Sequence, residues 1–299
     1  MNRQWKKVNK RPGTWTVSSV AGSGVHRIDF NGWSRGIARI SFSSDWHFDS
    51  THCDRVALKA MLDSALAHNT PVCVIGDLFD SMQGRGDKRS SKSEMRPEYV
   101  GGENYFDAII EDAAKFLTPY LSVIAIICPG NHETSVSKNQ ETNLTVRLVE
   151  RLRSAGSNAR VGGYSGWIRV GVRGVTYRVF YHHGSGGGSA ASKGTLEFAR
   201  IADYVDGADA LVCGHIHQRG IYEARRVSMT AQGKLLCRQF WQVRLGAFKD
   251  EYNNGASGWH VERGMGPRPC GGWTLELKPA DKTGPLIANW TEGVVSNGK

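Results

Sequence analysis

Five short polar motifs, each placed directly after an apolar run, constrain the fold more than any other feature of this sequence. The motifs are Asp45-Trp46-His47, Gly76-Asp77-Leu78-Phe79-Asp80, Gly130-Asn131-His132-Glu133, Tyr181-His182-His183-Gly184 and Gly214-His215-Ile216-His217. If the apolar runs are parallel strands, their carboxyl ends meet at one edge of a sheet, and residues far apart in sequence converge there. The pattern therefore predicts one shared site at a sheet edge.

The segments between the motifs alternate between patterns typical of β-strands and patterns typical of α-helices. Apolar runs rich in β-branched residues predict strands at 37–42, 72–75, 121–127, 175–181 and 210–213, and helical spacing predicts helices at 55–68, 105–117, 142–155 and 196–204. The first three strands and two helices form a βαβαβ order, which favours a parallel sheet core. Alternation at 235–245 predicts antiparallel strands near the end of the chain.

Length and composition favour one large α/β unit. With 299 residues and 40% hydrophobic content, the chain is expected to form a single domain at 37–299, preceded by a basic extension or edge hairpin at 1–36. No apolar run approaches the roughly 20 residues needed to span a bilayer, and the first residues lack the apolar core of a signal peptide. Cys73, Cys128 and Cys213 lie in or beside apolar runs, which favours reduced core thiols. We expect a soluble, cytoplasmic protein with no membrane association and no obligate protein partner.

The chain is strongly basic, with a net charge of +10 and a pI near 9.4. Such a balance favours an anionic partner, and nucleic acid is the commonest one for a basic protein. A predicted loop after the second motif carries a cluster of five basic residues: Arg85, Lys88, Arg89, Lys92 and Arg96. Loops hold binding residues disproportionately often, so substrate contact and a solvated insertion are both open interpretations of this basic loop.

The residue types in the five motifs are those that bind divalent metal ions. Carboxylate oxygens and neutral imidazole nitrogens suit manganese, iron and zinc, and one carboxylate can bridge two ions. Two ions about 3.5–4 Å apart polarise phosphoryl oxygens and lower the pKa of a shared water. Asp77 is the candidate bridge. A single motif of this kind is more often a hydrogen-bonded surface pair, but five of them in this order are not explained by buried polar residues alone.

The order DxH, GDxxD, GNH[DE], His and GHxH, from Ser44 to His217, resembles the calcineurin-like metallophosphoesterase superfamily. The resemblance implies a four-layer α/β/β/α sandwich, in which two mixed β-sheets are flanked by helices. It also implies phosphoester hydrolysis by a metal-bridging hydroxide. The implied cofactors are two divalent ions, with manganese favoured and iron or zinc as alternatives.

The resemblance assigns roles to residues by their position in the motifs. It gives the first metal Asp45, His47, Asp77 and His217, and the second metal Asp77, Asn131, a histidine of 181–183 and His215. For that histidine we favour His182, and His183 is the alternative. His132 is expected to protonate the leaving oxygen or to stabilise charge on the phosphoryl group, oriented by a hydrogen bond to Asp80. The expected substrate contacts are His183, Arg85, Lys88 and Arg89.

The class of phosphoester is less constrained. Protein phosphatases of the superfamily follow the second Asp of GDxxD with an arginine, whereas this chain has Ser81, which argues against that class. Residues 44–47 and 76–80 resemble SbcD-type DNA nucleases, although no capping domain for an ATPase partner is recognised. Residues 259–264 and 267–273 resemble small phage and prophage phosphoesterases. We expect a phosphodiesterase, with DNA nuclease activity as one form of it. The alternatives are a phosphomonoesterase acting on nucleotides or other small molecules, and a non-catalytic scaffold that kept the fold.

Overall fold

The computed structural model describes residues 14–31, 36–81, 94–100, 104–187, 192–252, 256, 259–280 and 285–293. In chain order the strands are β1 (Thr14–Ser19), β2 (Val25–Asn31), β3 (Ala38–Ser43), β4 (Val72–Ile75), β5 (Ile124–Cys128), β6 (Arg160–Val161), β7 (Ser165–Val172), β8 (Val175–His182), β9 (Ala210–Cys213), β10 (Gly220–Met229), β11 (Leu235–Arg244), β12 (Trp273–Pro279) and β13 (Leu286–Glu292). They form two mixed sheets. A seven-stranded sheet has the order β1-β2-β7-β8-β9-β11-β10, and a six-stranded sheet has the order β13-β12-β3-β4-β5-β6.

Six α-helices lie within the described residues. They are α1 (Arg55–Ala67), α2 (Tyr105–Leu117), α3 (Asn131–Gln140), α4 (Leu144–Ser154), α5 (Thr195–Tyr204) and α6 (Trp259–Glu262). Short 3₁₀ turns occupy Pro97–Tyr99 and Thr118–Tyr120. Among the described residues, no helix is both long enough and apolar enough to cross a membrane.

The predicted βαβαβ core is present in the six-stranded sheet. Strands β3, β4 and β5 are parallel neighbours, joined through α1 and α2. Helix α1 buries Leu58, Met61 and Leu62 against the sheet, because its apolar residues recur on one face of the helix. Its first turn is capped by the Asp54 carboxylate, which accepts hydrogen bonds from the backbone N–H groups of Val56 and Ala57. This arrangement brings the carboxyl ends of the three strands, and the three motifs that follow them, to one edge.

A hydrophobic core lies between the two sheets. Ile40 and Phe42 of β3 pack there with Val170 of β7 and Val212 of β9. A separate cluster, which includes Phe198 of α5, packs α5 on the outer face of the seven-stranded sheet. With α1, α2 and α4 on the other side, the layers run helix, sheet, sheet, helix. The predicted four-layer α/β/β/α sandwich is therefore confirmed.

The N-terminal region contributes to the seven-stranded sheet. Strands β1 and β2 form an antiparallel hairpin, and β2 pairs in parallel with β7. Strand β1 is the edge strand. Residues 1–13 lie outside the described part of the chain, and the division into an extension and a single domain stays a prediction.

Several elements differ from the sequence prediction, which did not include strands β6 and β7. Helix α3 was not predicted, because only Val136 among its ten residues is a buried apolar side chain and no helical periodicity results. The strand predicted from residue 121 begins instead at Ile124. The residues before it belong to the turn that follows the 3₁₀ segment Thr118–Tyr120, where the backbone N–H of Val123 donates to the carbonyl of Tyr120.

A buried ion pair fixes the seven-stranded sheet to α5 and to the loop after β9. The Arg244 guanidinium, whose side chain is 1% exposed, donates to a Glu197 carboxylate oxygen at 2.6 Å. The same guanidinium donates to the carbonyls of Gly214 at 3.1 Å and Gly194 at 2.7 Å. Glu197 also accepts the backbone N–H of Ser185 at 2.7 Å. One interaction thus connects α5 and β11 with the loops that follow β8 and β9.

We expect Arg244→Met to lower the free energy of unfolding by about 3–5 kcal/mol, because it leaves the Glu197 carboxylate buried without its guanidinium partner. Urea unfolding followed by circular dichroism would measure the loss. The matched control is the double variant Arg244→Met/Glu197→Met, which removes both charges and should recover most of the stability. Equal losses in the single and double variants would contradict this account.

Candidate active site

The motif loops hold ligand-type residues in an unusual backbone conformation. Asp45, His47, Asp77, His215 and His217 have φ angles of 54°, 45°, 48°, 73° and 53°. Residues other than glycine rarely adopt this left-handed region, and strain of this kind costs on the order of 1–3 kcal/mol each and clusters at functional sites. The loops support one another through hydrogen bonds between them. The backbone N–H of Asp45 donates to the Gly76 carbonyl at 3.0 Å, and that of His47 donates to the Asp77 carbonyl at 3.1 Å.

The glycines of the motifs are required by close packing in the site. A Cβ atom on Gly76 would lie 2.2 Å from Nδ1 of His183, and Gly76 itself has a φ of +88°. A Cβ atom on Gly130 would lie 2.1 Å from Oδ1 of Asp77. Distances this short exclude any side chain, so both glycines allow the loops to approach the polar residues.

A first cluster of ligand-type side chains contains Asp45, His47 and His217, whose ligand atoms all lie within 4.8 Å of one another. Nε2 of His47 lies 3.2 Å from Nε2 of His217, and Oδ1 of Asp45 lies 3.5 Å from the same His217 nitrogen. The other ring nitrogen of His47, Nδ1, is hydrogen-bonded to the Asp80 carboxylate at 2.7 Å. This bond holds the His47 ring with Nε2 directed into the cluster.

A second cluster contains Asp77, His183 and His215. Nε2 of His183 lies 3.1 Å from Oδ2 of Asp77 and 3.1 Å from Oδ1 of Asn131. Nδ1 of His183 donates to the Ile75 carbonyl at 2.8 Å, and the ring centroids of His183 and His215 are 5.3 Å apart. The structure therefore brings Asp77, Asn131 and His215 together as expected, and the histidine that joins them is the alternative, His183.

The two adjacent histidines after β8 have different surroundings. His183 is fully buried inside the second cluster. His182, the residue favoured from sequence, lies outside it. Its Nδ1 accepts the backbone N–H of Gly184 at 3.0 Å and lies 3.9 Å from the Glu197 carboxylate. The geometry thus differs from the sequence-based preference, because it brings His183 rather than His182 to Asp77 and Asn131.

His132 lies beside both clusters without joining the second one. Its ring is 4.9 Å from that of His47 between centroids, and its Nε2 is 3.8 Å from Oδ2 of Asp77. The expected hydrogen bond to Asp80 exists, but its acceptor is the main-chain carbonyl of Asp80, 2.5 Å from Nδ1 of His132. The carboxylate of Asp80 is 3.9 Å from that nitrogen, because it is bonded to His47 instead.

The electrostatics keep the carboxylates of Asp45 and Asp77 ionised. Burial acts to raise the pKa of Asp77, but the imidazoles of His183 and His132 hold it well below its usual value. Burial opposes ionisation of Asp45 as well, and interaction with His217 and His183 nevertheless lowers its pKa to about 2. Burial lowers the pKa values of His47 and His215, so these imidazoles are neutral near pH 7 and have lone pairs to donate. Burial also acts to lower the pKa of His183, yet the Asp77 carboxylate raises it to about 10.

Further buried carboxylates support the loops, and sequence reasoning gave them no role. Glu133 accepts the backbone N–H groups of Asp77 at 3.2 Å, Phe79 at 2.9 Å and Gly130 at 2.8 Å, so it joins the second and third motifs. Asp49 accepts the backbone N–H groups that follow Phe79, those of Asp80 and Ser81, at 2.6 and 2.9 Å. The only available signal for Glu133 was its place inside the GNHE motif.

The C-terminal part of the chain also reaches the site. Glu251 and His260 form a further group of ligand-type side chains together with His217. Lys249 lies beside Glu251, with Nζ 2.7 Å from its carboxylate. Sequence reasoning gave these residues no role at the site, although His260 lies in the segment 259–264 that resembles phage and prophage phosphoesterases.

Residues 38–219, more than half of the chain, match the calcineurin-like phosphoesterase family. The chain belongs to this family. It is therefore a metal-dependent phosphoesterase, as the order of the motifs predicted. A search of curated proteins finds no match to the chain. The resemblance to SbcD-type nucleases and to phage phosphoesterases stays a prediction.

The site of this calcineurin-like phosphoesterase fits divalent cations. Oδ1 of Asp45 is a fully buried carboxylate oxygen that forms no hydrogen bond within the described residues. A buried anionic oxygen is costly unless a cation or a donor compensates it. Two imidazole nitrogens, those of His47 and His217, face each other at 3.2 Å beside it. Carboxylate and imidazole donors of this kind suit manganese, iron and zinc.

The basic loop of this calcineurin-like phosphoesterase falls largely outside the described residues. This applies to Arg85, Lys88, Arg89 and Lys92. Arg96 is described, and its guanidinium pairs with the Glu98 carboxylate at 2.5 Å. The residues on either side of 82–93 are fixed at the site. The Ser81 N–H is bonded to Asp49, and the Glu94 carboxylate lies 3.3 Å from Nζ of Lys249.

Proposed function

We propose that this phosphoesterase hydrolyses phosphodiesters with two divalent cations, and that nucleic acid is its substrate class. Manganese is the favoured ion, with iron and zinc as alternatives. The observation that carries the proposal is that residues from five strand ends form two adjacent clusters of metal-ligand type. Asp77 belongs to the second cluster, and its negative charge acts to raise the pKa of Asp45 in the first. When bound, the cations would supply Lewis-acid activation of the phosphoryl group and of the attacking water.

The proposed ligands follow from the two clusters. The first cation would be held by Asp45, His47, His217 and Asp77, and the second by Asp77, Asn131, His183 and His215. His183 replaces His182 in this set because its Nε2 faces both Asp77 and Asn131, while its Nδ1 is bonded to a backbone carbonyl. A hydrogen bond on the remote ring nitrogen is typical of metal-binding histidines.

His132 is the proposed general acid. Its Nδ1–H is bonded to the Asp80 carbonyl, which fixes the ring and leaves Nε2 on the side of Asp77. The carboxylates of Asp77 and Asp80 lie 3.8 and 3.9 Å from its ring nitrogens. A positioned imidazolium of this kind can donate a proton to the oxygen of the leaving group.

The preference for a phosphodiester of nucleic acid is supported by charge. Ser81 stands where phosphoprotein phosphatases carry an arginine. Four basic residues lie in sequence between Ser81 and Glu94, and both of these flanking residues are bonded within the site. The net charge of +10 favours a polyanion over a small neutral substrate. A phosphomonoesterase and a non-catalytic scaffold are the alternatives, although each ligand position expected of the family is filled.

A cytoplasmic location is part of the proposal. The six cysteines are free thiols, four of them buried. Free buried cysteines are typical of proteins in a reducing compartment.

A substrate panel on the metal-stripped protein tests the proposal directly. It compares bis(p-nitrophenyl) phosphate, p-nitrophenyl phosphate, single-stranded DNA and double-stranded DNA, each with manganese, iron or zinc added back. We expect metal-dependent hydrolysis of the diester in preference to the monoester, together with cleavage of DNA. Preferred hydrolysis of the monoester would support the phosphomonoesterase, and no hydrolysis with any metal would support the scaffold.

Neutralising the basic loop tests the nucleic-acid part of the proposal. Replacing Arg85, Lys88, Arg89, Lys92 and Arg96 with Ser should weaken DNA binding. It should also flatten the salt dependence by about 0.7–0.9 logarithmic units per lost phosphate contact. Hydrolysis of the small diester should change little. The control replaces five exposed basic residues at the opposite end of the sheets, Lys115, Arg153, Arg225, Lys234 and Arg238, with Ser. Equal effects of the two sets, or undiminished DNA cleavage by the loop variant, would argue against this substrate class.

The two adjacent histidines provide a matched pair for the metal assignment. His183→Ala should reduce bound metal from two ions to one, because it removes an imidazole that faces both Asp77 and Asn131. His182→Ala should retain both ions. Elemental analysis of dialysed protein measures the difference, and loss of an ion from the His182 variant alone would reverse the assignment.

Removing the general acid should leave the metal content unchanged. We expect His132→Ala to keep both ions and to lose about 10²–10⁴-fold in rate on substrates with poor leaving groups. The loss should be smaller for p-nitrophenyl esters, since p-nitrophenolate scarcely needs protonation. A plot of rate against leaving-group pKa for the two proteins measures the effect. Parallel plots would indicate that His132 stabilises charge instead of donating a proton.

A further inference from the structure

Lys249 is a buried cation surrounded by carboxylates at the edge of the first cluster. Its side chain is 5% exposed, and its Nζ lies 3.2 Å from Asp80, 3.3 Å from Glu94 and 2.7 Å from Glu251. Each carboxylate comes from a different segment of the chain. Burial acts against the charge, but these carboxylates raise the pKa of Lys249 above its usual value, so it is a cation at neutral pH.

The backbone around Lys249 is fixed to the first motif. The N–H of Phe248 donates to the Asp45 carbonyl at 2.9 Å, and the N–H of Asp54 donates to the Phe248 carbonyl at 2.7 Å. Lys249 itself forms a β-bridge with Cys53. The position of its ammonium group is therefore set by the same loop that carries Asp45 and His47.

One carboxylate oxygen connects Lys249 to a proposed metal ligand. Oδ1 of Asp80 accepts hydrogen bonds from Nζ of Lys249 at 3.2 Å and from Nδ1 of His47 at 2.7 Å. His47 in turn directs Nε2 toward His217. The three side chains form a line that runs from the C-terminal part of the chain to the first cluster.

We propose that Lys249 is a positioning residue for the first metal site, which holds Asp80 in the orientation that fixes the ring of His47. This inference rests on the proposed two-metal function and extends it to a residue beyond the family match at 38–219. Without the ammonium group, Asp80 would face Glu94 and Glu251 with no cation between them. Repulsion among the carboxylates would then favour rotation of Asp80 away from His47.

Removal of Lys249 should change metal affinity in opposite directions if the residue acts by positioning Asp80 and His47 or only through its positive charge. A fixed positive charge next to a cation site repels the cation, so its removal should tighten metal binding if charge alone matters. If Lys249 acts by holding Asp80 and His47, its removal should weaken binding instead. Partners that orient metal-binding histidines typically contribute about 10–100-fold to metal affinity.

The test is a titration of metal-free protein with manganese in competition with a chromogenic chelator. We expect Lys249→Met to raise the dissociation constant of one of the two ions about 10–100-fold and to leave the other within a few-fold of the parent. The control, Lys59→Met, removes an exposed lysine that pairs with Asp63 on α1, and should change neither. Unchanged or tighter binding of both ions by Lys249→Met would overturn the proposal.

Asp80→Asn provides the second arm. If Lys249 acts through Asp80, adding Lys249→Met to the Asp80→Asn variant should cause no further loss of affinity, whereas independent effects would add. Additive losses would overturn the proposal. Lys249→Met could fail to fold because it leaves three carboxylates unmatched, so the same comparison is made in a Glu94→Gln background, which removes one of these carboxylates and keeps the repulsion between Asp80 and Glu251. Thermal unfolding with a chelator present shows which variants are folded.

The parent protein separates failure of this inference from failure of the proposed function. Binding of two manganese ions by the parent, with equal affinity in the Lys249→Met variant, would remove only the role of Lys249. A parent that binds fewer than two ions would contradict the two-metal site itself, and with it the role assigned here to Lys249.

Discussion

The carboxylate of Asp77 is the group on which the rest of the site depends. One of its oxygens lies 3.1 Å from the buried imidazole of His183, and the other accepts the backbone N–H of His132 at 3.0 Å. A side chain on Gly130 would collide with it. A buried carboxylate is stable only when donors and positive charge surround it. Three motif loops therefore have to close around Asp77, and the parallel strands β4 and β5 bring two of these loops together.

The same requirement explains why the neighbouring backbone is strained and yet well supported. Asp77 adopts a left-handed conformation, and its N–H is held by Glu133 from the next motif. Asp80 and Ser81 are held in a similar way by Asp49. Asp77 and Ser81, which both have positive φ angles, thus each donate a backbone hydrogen bond to a buried carboxylate in a different loop. These backbone hydrogen bonds fix the loops that carry the ligands, which reduces the ordering cost of cation binding.

Much of the fold could be predicted from sequence, because the strands that carry the motifs are short, apolar and followed by polar residues. Helix α3 could not be predicted, since its start is set by Gly130 and by Glu133, which accepts the Gly130 N–H, and not by an apolar face. The choice of His183 over His182 could have been predicted from the alternation of side chains along a β-strand. Side chains alternate along a strand, and Tyr181 at the end of β8 faces the core between the sheets. His183 shares that side, whereas His182 points toward α5 and Glu197.

The contacts of Lys249 lay beyond any such rule. It contacts Asp80 across 169 positions of sequence, and the residues around Lys249 show no motif and no periodicity. Sequence reasoning had noted only that Ser81, next to Asp80, stands where protein phosphatases of the superfamily carry an arginine. Ser81 is 3% exposed and its N–H is bonded to Asp49, so this position faces the protein interior. The positive charge that balances Asp80 therefore comes from a distant part of the chain. Lys249 lies outside the family match, and only the three-dimensional contacts connect it to Asp80.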